Sequence, residues 1–294
     1  MLRLGFIGFG GAGYGLAKGL RQAGLAEVHF FDRMQETPPF AEVIGRHSAE
    51  LGAVRAATIA ELLARTDCVI SCVTGSMAVS VAEEAAPHLT PAHLYADVNT
   101  ASPQVKKQAA AIVERAGASF TDAAMMGAIP AFLHRVPILA SGSGASRFRD
   151  ALTPYGMNIR AIGEEPGQAS AIKLCRSIFT KGLLSLLIEL LTATHRLGVD
   201  DTVLASIAES LDGTPFTETA RLQMTKGVVN AERMAHEMEE VVATLEELAV
   251  PAAMSRASRE TLLRCAGLGL RERLGGEIPS TLAEVLAALE NPPG

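Results

Sequence analysis

The sequence predicts an α/β fold, a doubly wound and mostly parallel sheet, followed by an all-α region reached through one long helix. Three observations carry that reading. Over residues 1–163 short apolar, β-rich runs alternate with helical patterns. A glycine-rich turn, "FIGFGGAGYGLAKGL" at 6–20, joins the first such run to the first helix. From residue 164 onward apolar residues recur at helical spacing, with no alternating strand. Strands joined by helices run parallel through right-handed crossovers, which gives the doubly wound sheet.

The strand candidates, in order, are Leu2–Gly8, Glu27–Asp32, Ala53–Ala56, Asp67–Val73, His93–Val98, Ser119–Asp122, Ile138–Ser141 and Asn158–Ile162. Two of the helices between them announce their starts. Thr58 caps "IAELLA", and Ser102 with Pro103 opens "QVKKQAAAIVERAG"; proline is tolerated where the first helical N–H has no partner. The pattern changes at "GEEPG", 163–167. The next segment, "ASAIKLCRSIFTKGLLSLLIELLTATHRL", predicts a helix from Gln168 to Leu197, roughly 45 Å long at about 1.5 Å per residue. A helix so long and apolar is best buried on several sides, which predicts the spine of a helical domain and part of a dimer interface. The expected division is a dinucleotide-type domain of 1–163 and an all-helical domain of 164–294, with "ENPPG" as a loose tail.

Charge and composition narrow the function. The chain has 294 residues, 32 acidic and 26 basic, for a net charge of −6, so no basic surface for nucleic acid or anionic membrane is expected and small molecules are the expected partners. No basic leader precedes the first strand, and no apolar run reaches the ~18 residues of a membrane span; a cytoplasmic protein is expected. Cys68, Cys72, Cys175 and Cys265 match neither C-x-x-C nor zinc spacing and are expected as reduced, mostly buried thiols. "HEMEE" at 236–240 opens like a zinc-protease motif but lacks the second histidine four residues after the first, so no metal site is expected.

The glycine turn carries the chemistry. Gly8, Gly10 and Gly13 have the spacing G-x-G-x-x-G, follow a strand and open a helix, the setting that distinguishes a Rossmann dinucleotide turn from an ordinary glycine loop. Gly8 allows the tight turn, Gly10 lets the backbone approach a pyrophosphate, and Gly13 allows close helix packing. Gly11 and Ala12 complete the helix N-terminus, whose free N–H groups and dipole favour phosphate. Asp32, ending "EVHFFD" nineteen residues after Gly13, is placed to bind the adenine ribose hydroxyls. Its charge favours NAD; the adjacent Arg33 could pair with a 2′-phosphate and allow NADP.

With these motifs the sequence resembles the β-hydroxyacid dehydrogenase family, which includes 6-phosphogluconate and 3-hydroxyisobutyrate dehydrogenases. The resemblance implies a Rossmann domain, a long linking helix and a helical domain that forms a homodimer. It places Val73 and Thr74, in "CVISCVTGSMAV", beside the nicotinamide ribose. The segment "DVNTASP" at 97–103 matches the family's D-x-S-T-x-x-P and puts Asn99 and Thr100 at the nicotinamide and substrate; by themselves the two residues could equally shape the turn before Ser102. "GQASAIKLCRS" at 167–177 matches G-x-x-x-x-x-K-x-x-x-N, so Lys173 falls on the catalytic lysine and Ser177 on the family's asparagine. A charged amine is costly to bury on an apolar helix, which suits Lys173 to proton transfer.

Two departures concern the substrate. The family's D-A-P-V-S-G-G reads "DAAMMGA" here, with Met126 for the serine and Gly127 and Ala128 for the two glycines. A methionine cannot donate a hydrogen bond to a carboxylate. Arg176, Ser177 and Lys181 are near Lys173 in sequence and could compensate, and His236 and Glu237 fall where better-known members carry a Lys-Asp pair. The resemblance implies a NAD(P)-dependent oxidoreductase acting on a small hydroxy-acid-like substrate, with decarboxylation of a β-keto product as a further step. Two alternatives remain open: an imine reductase, which Met125 and Met126 would suit, and a dinucleotide-binding sensor without turnover.

Overall fold

The computed structural model describes residues 2–273 and 277–291; the last three residues of "ENPPG" lie outside them. By its internal contacts the chain divides into two units, 1–178 and 179–294. In the first, the elements follow in the order β1 (Leu4–Ile7), α1 (Gly11–Gln22), β2 (Val28–Phe31), α2 (Phe40–Leu51), β3 (Val54–Arg55), α3 (Ile59–Arg65), β4 (Cys68–Ser71), α4 (Ala78–Ala85), β5 (Leu94–Asp97), α5 (Pro103–Arg115), β6 (Ser119–Met125), α6 (Ile129–Phe132), β7 (Ile138–Ser141), α7 (Ala145–Leu152) and β8 (Ile159–Gly163). The long helix α8 (Gln168–Leu197) starts in this unit and ends in the second. All eight expected strands are present, and the last ends at Gly163, where the sequence pattern changes.

One sheet contains all eight strands in the order β3-β2-β1-β4-β5-β6-β7-β8. All pairs are parallel except β6 with β7, which is antiparallel. The sheet is thus mostly parallel, as expected; residues 126–137, which join β6 to β7, hold only the four-residue α6 and no crossover helix that spans the sheet. The strands are apolar on both faces, as a sheet covered by helices on each side requires. Along β5, Leu94 and Ala96 enter the core with Phe6, Leu16 and Phe148, while Tyr95 enters the opposite core with Leu62, Val69 and Phe120. Each fully buried phenylalanine contributes about 2–3 kcal/mol through burial.

The helices opening with Thr58 and Ser102 start where expected, each capped by its side chain, which accepts the N–H of Glu61 and of Val105. In the second unit the rest of α8 is followed by α9 (Asp200–Leu211), α10 (Phe216–Val229), α11 (Ala231–Glu247), α12 (Ala253–Gly267), α13 (Leu270–Arg273) and α14 (Leu282–Glu290). Its apolar clusters are small, one around Ala193, Val242 and Leu245 and one around Val228, Leu270 and Val285. The buried Glu189 of α8 fastens α12 by accepting the N–H groups of Met254 and Ser255 at 2.8 and 2.9 Å and the Ser255 hydroxyl at 2.6 Å. The expectation that α8 is buried on several sides is not met within one chain. In this unit Leu184 is 59% exposed and Ile188 60%, because only Ala193 of α8 enters its small apolar clusters. Among the described residues no helix is long and apolar enough to cross a membrane.

Candidate active site

In a doubly wound sheet ligands bind outside the carboxyl ends of the strands, where the strand order reverses. Here that point lies between β1 and β4, whose neighbours are β2 and β5 on opposite sides. A cleft of about 470 Å³ opens there, bordered by Gly8, Gly10, Asp32, Arg33, Val73 and Thr74. The glycines have distinct local reasons. Gly8 has φ +92°, and a Cβ on it would strike the Cys72 carbonyl oxygen. A Cβ on Gly13 would strike the Gly8 carbonyl oxygen, whereas one on Gly10 or Gly11 would meet nothing within 4 Å. The open space at Gly10 and Gly11 is a cradle at the start of α1, whose N-terminus has no side-chain cap and no acidic residue in its first turn. Gly10, Gly11, Ala12 and Gly13 thus offer backbone N–H groups to an anion, as the pyrophosphate of a dinucleotide requires.

Asp32 does more than the spacing indicates. Its Oδ2 accepts the Phe9 N–H at 2.7 Å and its Oδ1 accepts the Met34 N–H at 2.8 Å, so the carboxylate holds the glycine turn in shape. Each oxygen keeps a further lone pair for a ribose hydroxyl. Arg33 points its guanidinium to Glu84 of α4 at 2.5 Å.

The opposite border is fixed by Asn99. This residue is buried, its Oδ1 accepts the Val73 N–H at 2.6 Å and its Nδ2 donates to Ser71 Oγ at 3.1 Å. Asn99 therefore ties the loop after β4 to the loop after β5. Gly75 sits so close to Thr100 that a Cβ on it would strike the Thr100 carbonyl oxygen. Val73 and Thr74 border the cleft directly, and Thr100 stands next to them, with its side chain exposed.

Across from this lip, Lys173 Nζ donates to Thr100 Oγ1 at 2.9 Å. Both belong to the first unit. Lys173 is half-buried rather than enclosed. Ser177 lies one turn further on the same helix, its hydroxyl donating to the Lys173 carbonyl at 3.0 Å. Arg176 Nη1 reaches the Met126 carbonyl at 3.4 Å, so the methionine meets the helix through its backbone. Gly127 and Ala128 follow it as exposed residues leading into α6. Lys173, Ser177, Arg176, Thr100 and the 126–128 segment are thus brought together in one unit. His236 and Glu237 belong to the second unit and are exposed on α11; the His236 Nδ1–H donates to the Glu232 carbonyl at 3.0 Å, and Glu237 pairs with Arg233.

The residues that sequence reading missed are buried and polar. Lys106, Asp97 and Asp122 have no exposed surface, and Lys106 Nζ lies 2.9 Å from Asp97 Oδ1 and 3.4 Å from Asp122 Oδ1. Desolvation pushes the Asp97 carboxyl above the usual carboxylate range, against the pull of the ammonium. A signal was present for Lys106: it lines up with the buried Ala109, Ala110 and Val113 at helical spacing. Of the four free cysteines, Cys68 is buried and pushed up to about 12 by desolvation. Cys72 and Cys265 are partly buried and Cys175, on an open side of α8, is exposed, so the expectation of mostly buried thiols is met only in part.

Comparisons with known proteins agree with this geometry. Residues 3–163 match the NAD binding domain of 6-phosphogluconate dehydrogenase, and residues 194–264 match a Domain of unknown function (DUF1932). The structure of a conserved hypothetical protein from Sinorhizobium meliloti 1021 is 32% identical, with 98% of this chain and 96% of that one covered at a TM-score of 0.62. A conserved protein of unknown function with structural similarity to 3-hydroxyacid dehydrogenases is 34% identical, with coverage of 90% and 98% and a TM-score of 0.60. A Myxococcus stipitatus imine reductase variant in complex with NAD+ shares the fold at 20% identity, with coverage of 98% and 99% and a TM-score of 0.74. The resemblance read from the motifs therefore holds: residues 3–163 are a NAD-binding domain, and the chain belongs to the family that shares it with 6-phosphogluconate dehydrogenase.

Proposed function

We propose that the protein is a NAD(P)-dependent oxidoreductase that moves hydride between nicotinamide and the hydroxyl or carbonyl of a small hydroxy-acid-like substrate, with Lys173 as general acid and base. The single observation behind this is the 2.9 Å contact between Lys173 Nζ and Thr100 Oγ1, next to a lip of the dinucleotide cleft. When bound, the nicotinamide supplies the hydride acceptor or donor. In oxidation the substrate carbon gives up hydride while its hydroxyl proton passes to the neutral Lys173 amine; in reduction Lys173 returns that proton to the forming alkoxide. Thr100 orients the amine, and Ser177 offers its hydroxyl oxygen one turn away. Arg176, held at the Met126 carbonyl, supplies the positive charge for a substrate carboxylate that methionine at 126 cannot bind.

NAD is the preferred cofactor in this reading, because Asp32 would face a 2′-phosphate and Arg33 is engaged by Glu84. The exposed apolar side of α8, with Leu184 and Ile188, supports a homodimer formed through the helical region. An Ile188→Glu variant should sediment as a monomer if that surface pairs two chains. A second reading, imine reduction, is favoured by Met125 and Met126 at the substrate end. One experiment separates them: a spectrophotometric screen of hydroxy acids, aldehydes and cyclic imines with NAD(H) and NADP(H) in parallel. Turnover of hydroxy acids supports the proposal, turnover of imines alone supports the second reading, and bound NADH with no turnover supports a sensor.

A further inference from the structure

We propose that Lys106, with Asp97 and Asp122, is a positioning device for the Lys173–Thr100 pair, one buried ammonium holding both of the segments that deliver these residues. The inference rests on the role proposed above for Lys173. An ammonium has three N–H groups, and this one meets three oxygens: the Asp97 carbonyl at 2.8 Å, Asp97 Oδ1 at 2.9 Å and Asp122 Oδ1 at 3.4 Å. Two of the oxygens belong to the end of β5 and one to β6, so the amine is fixed against both strands.

From each carboxylate a chain of contacts runs to the site. Asp97 Oδ1 accepts the Asn99 N–H at 2.8 Å, and Asn99 is the residue before Thr100. Asp122 receives the start of α8, its Oδ1 accepting the Ser170 hydroxyl at 2.7 Å and its Oδ2 the Ser170 N–H at 2.9 Å. Ser141 Oγ adds the Ala169 N–H at 3.1 Å. Lys173 follows Ser170 by three residues, about one turn. A carboxylate at this point satisfies first-turn N–H groups and complements the helix dipole, while Lys106 offsets the cost of burying it.

Stability alone gives little reason for this arrangement. Replacing a buried ion pair with well-packed apolar side chains is often neutral or stabilising, and Lys106 stands in an otherwise apolar row of α5. What a charged trio adds is direction, because each oxygen fixes one N–H. The two ends of the Lys173–Thr100 contact, 73 residues apart in the chain, are thereby referred to a common point.

The test reads the Lys173 amine directly and needs no substrate. Lysines are reductively methylated with 13C-formaldehyde, and the Lys173 signal is identified by its loss in Lys173→Arg. In the native chain Thr100→Val should move that signal. In Lys106→Met and in Ser170→Ala the signal should sit at the position of a solvent-exposed lysine and no longer respond to Thr100→Val, while Ser170→Thr restores both. NADH affinity should stay within about twofold in Ser170→Ala and Ser170→Thr, since Ser170 does not line the dinucleotide cleft. Ser170→Ala removes the hydroxyl that Asp122 Oδ1 accepts and leaves the trio in place, so it tests the Asp122 arm of the device even where Lys106→Met does not fold. A folded, NADH-binding Ser170→Ala protein whose Lys173 signal and Thr100 response equal those of the native chain would overturn the proposal. Should Lys173→Ala keep full turnover while these signals still shift, the proton-transfer role falls and the positioning device stands.

Discussion

Lys173 Nζ and Thr100 Oγ1 stand 2.9 Å apart, joining the helix that leaves the sheet to the loop that borders the NAD cleft. A hydroxyl at this distance gives the amine a fixed direction. Thr100→Val keeps the shape and removes the oxygen. The loss of a hydrogen bond to a charged group should lower kcat/KM by about 10- to 100-fold. NADH affinity, followed by fluorescence titration, should change much less, because Thr100 does not itself line the dinucleotide cleft.

The glycine turn makes a separable prediction. A Cβ on Gly10 meets no protein atom within 4 Å, so Gly10→Ala should melt with the native chain yet bind NADH roughly tenfold more weakly or worse, its methyl occupying the pyrophosphate cradle. Gly13→Ala should instead lose about 1–3 kcal/mol of stability, because its methyl collides with the Gly8 carbonyl. Calorimetry with and without NADH separates the two outcomes. Equal melting losses in both variants would show that Gly10 is a structural residue.

Cofactor choice turns on Glu84. Both members of the Arg33–Glu84 pair are solvent-exposed, and such pairs are worth about 0–1 kcal/mol. Glu84→Gln should therefore tighten NADPH binding by at most about fivefold, with NADH unaffected. A larger gain would mean that Asp32 opposes the 2′-phosphate less than its position implies.

In the helical region Glu189 gives a pH signature. Burial alone would raise its carboxyl, but the Ser255 hydroxyl and the N–H groups of Met254 and Ser255 outweigh that effect and hold it below the ordinary value. A lowered value in the folded chain means that protons bind the unfolded chain more readily. The stabilisation is complete at neutral pH and is lost as pH falls through the ordinary carboxylate range to the lowered value. Glu189→Gln should cost about 1–3 kcal/mol at neutral pH, and the difference in urea midpoint from the native chain should shrink steadily on acidification. A difference that grows on acidification would contradict the sign.

Much of this fold was legible because its signals are local. The eight strands are runs of four to seven apolar residues bounded by turns, apart from the two-residue β3, and α8 begins and ends where its apolar periodicity does. The antiparallel β6–β7 pair was hidden because no motif in the 126–137 connection marks the direction of the strand that follows. Lys173 is singled out only by the family resemblance, a lone lysine on a helix otherwise reading as a surface residue, whereas the glycine turn and Asp32 could be placed from spacing. The second task of Asp32, holding the Phe9 N–H, and the inward turn of Asn99 could not, since both depend on contacts between segments 23 and 26 residues apart. Lys106 is the instructive miss. Its charge reads as a solvated helix face, while its register with Ala109, Ala110 and Val113 points inward. The register was the better guide, because Asp97 and Asp122 wait on the sheet beneath it.

The measurement that bears most directly on the proposed chemistry is the steady-state rate of Lys173→Ala beside the native chain, on a substrate found in the hydroxy-acid and aldehyde screen. The proton-transfer role predicts a fall in kcat of about 100-fold or more, with NADH affinity unchanged. A variant that oxidises the alcohol at the native rate, or a native chain that binds NADH and turns over nothing in the screen, would contradict it.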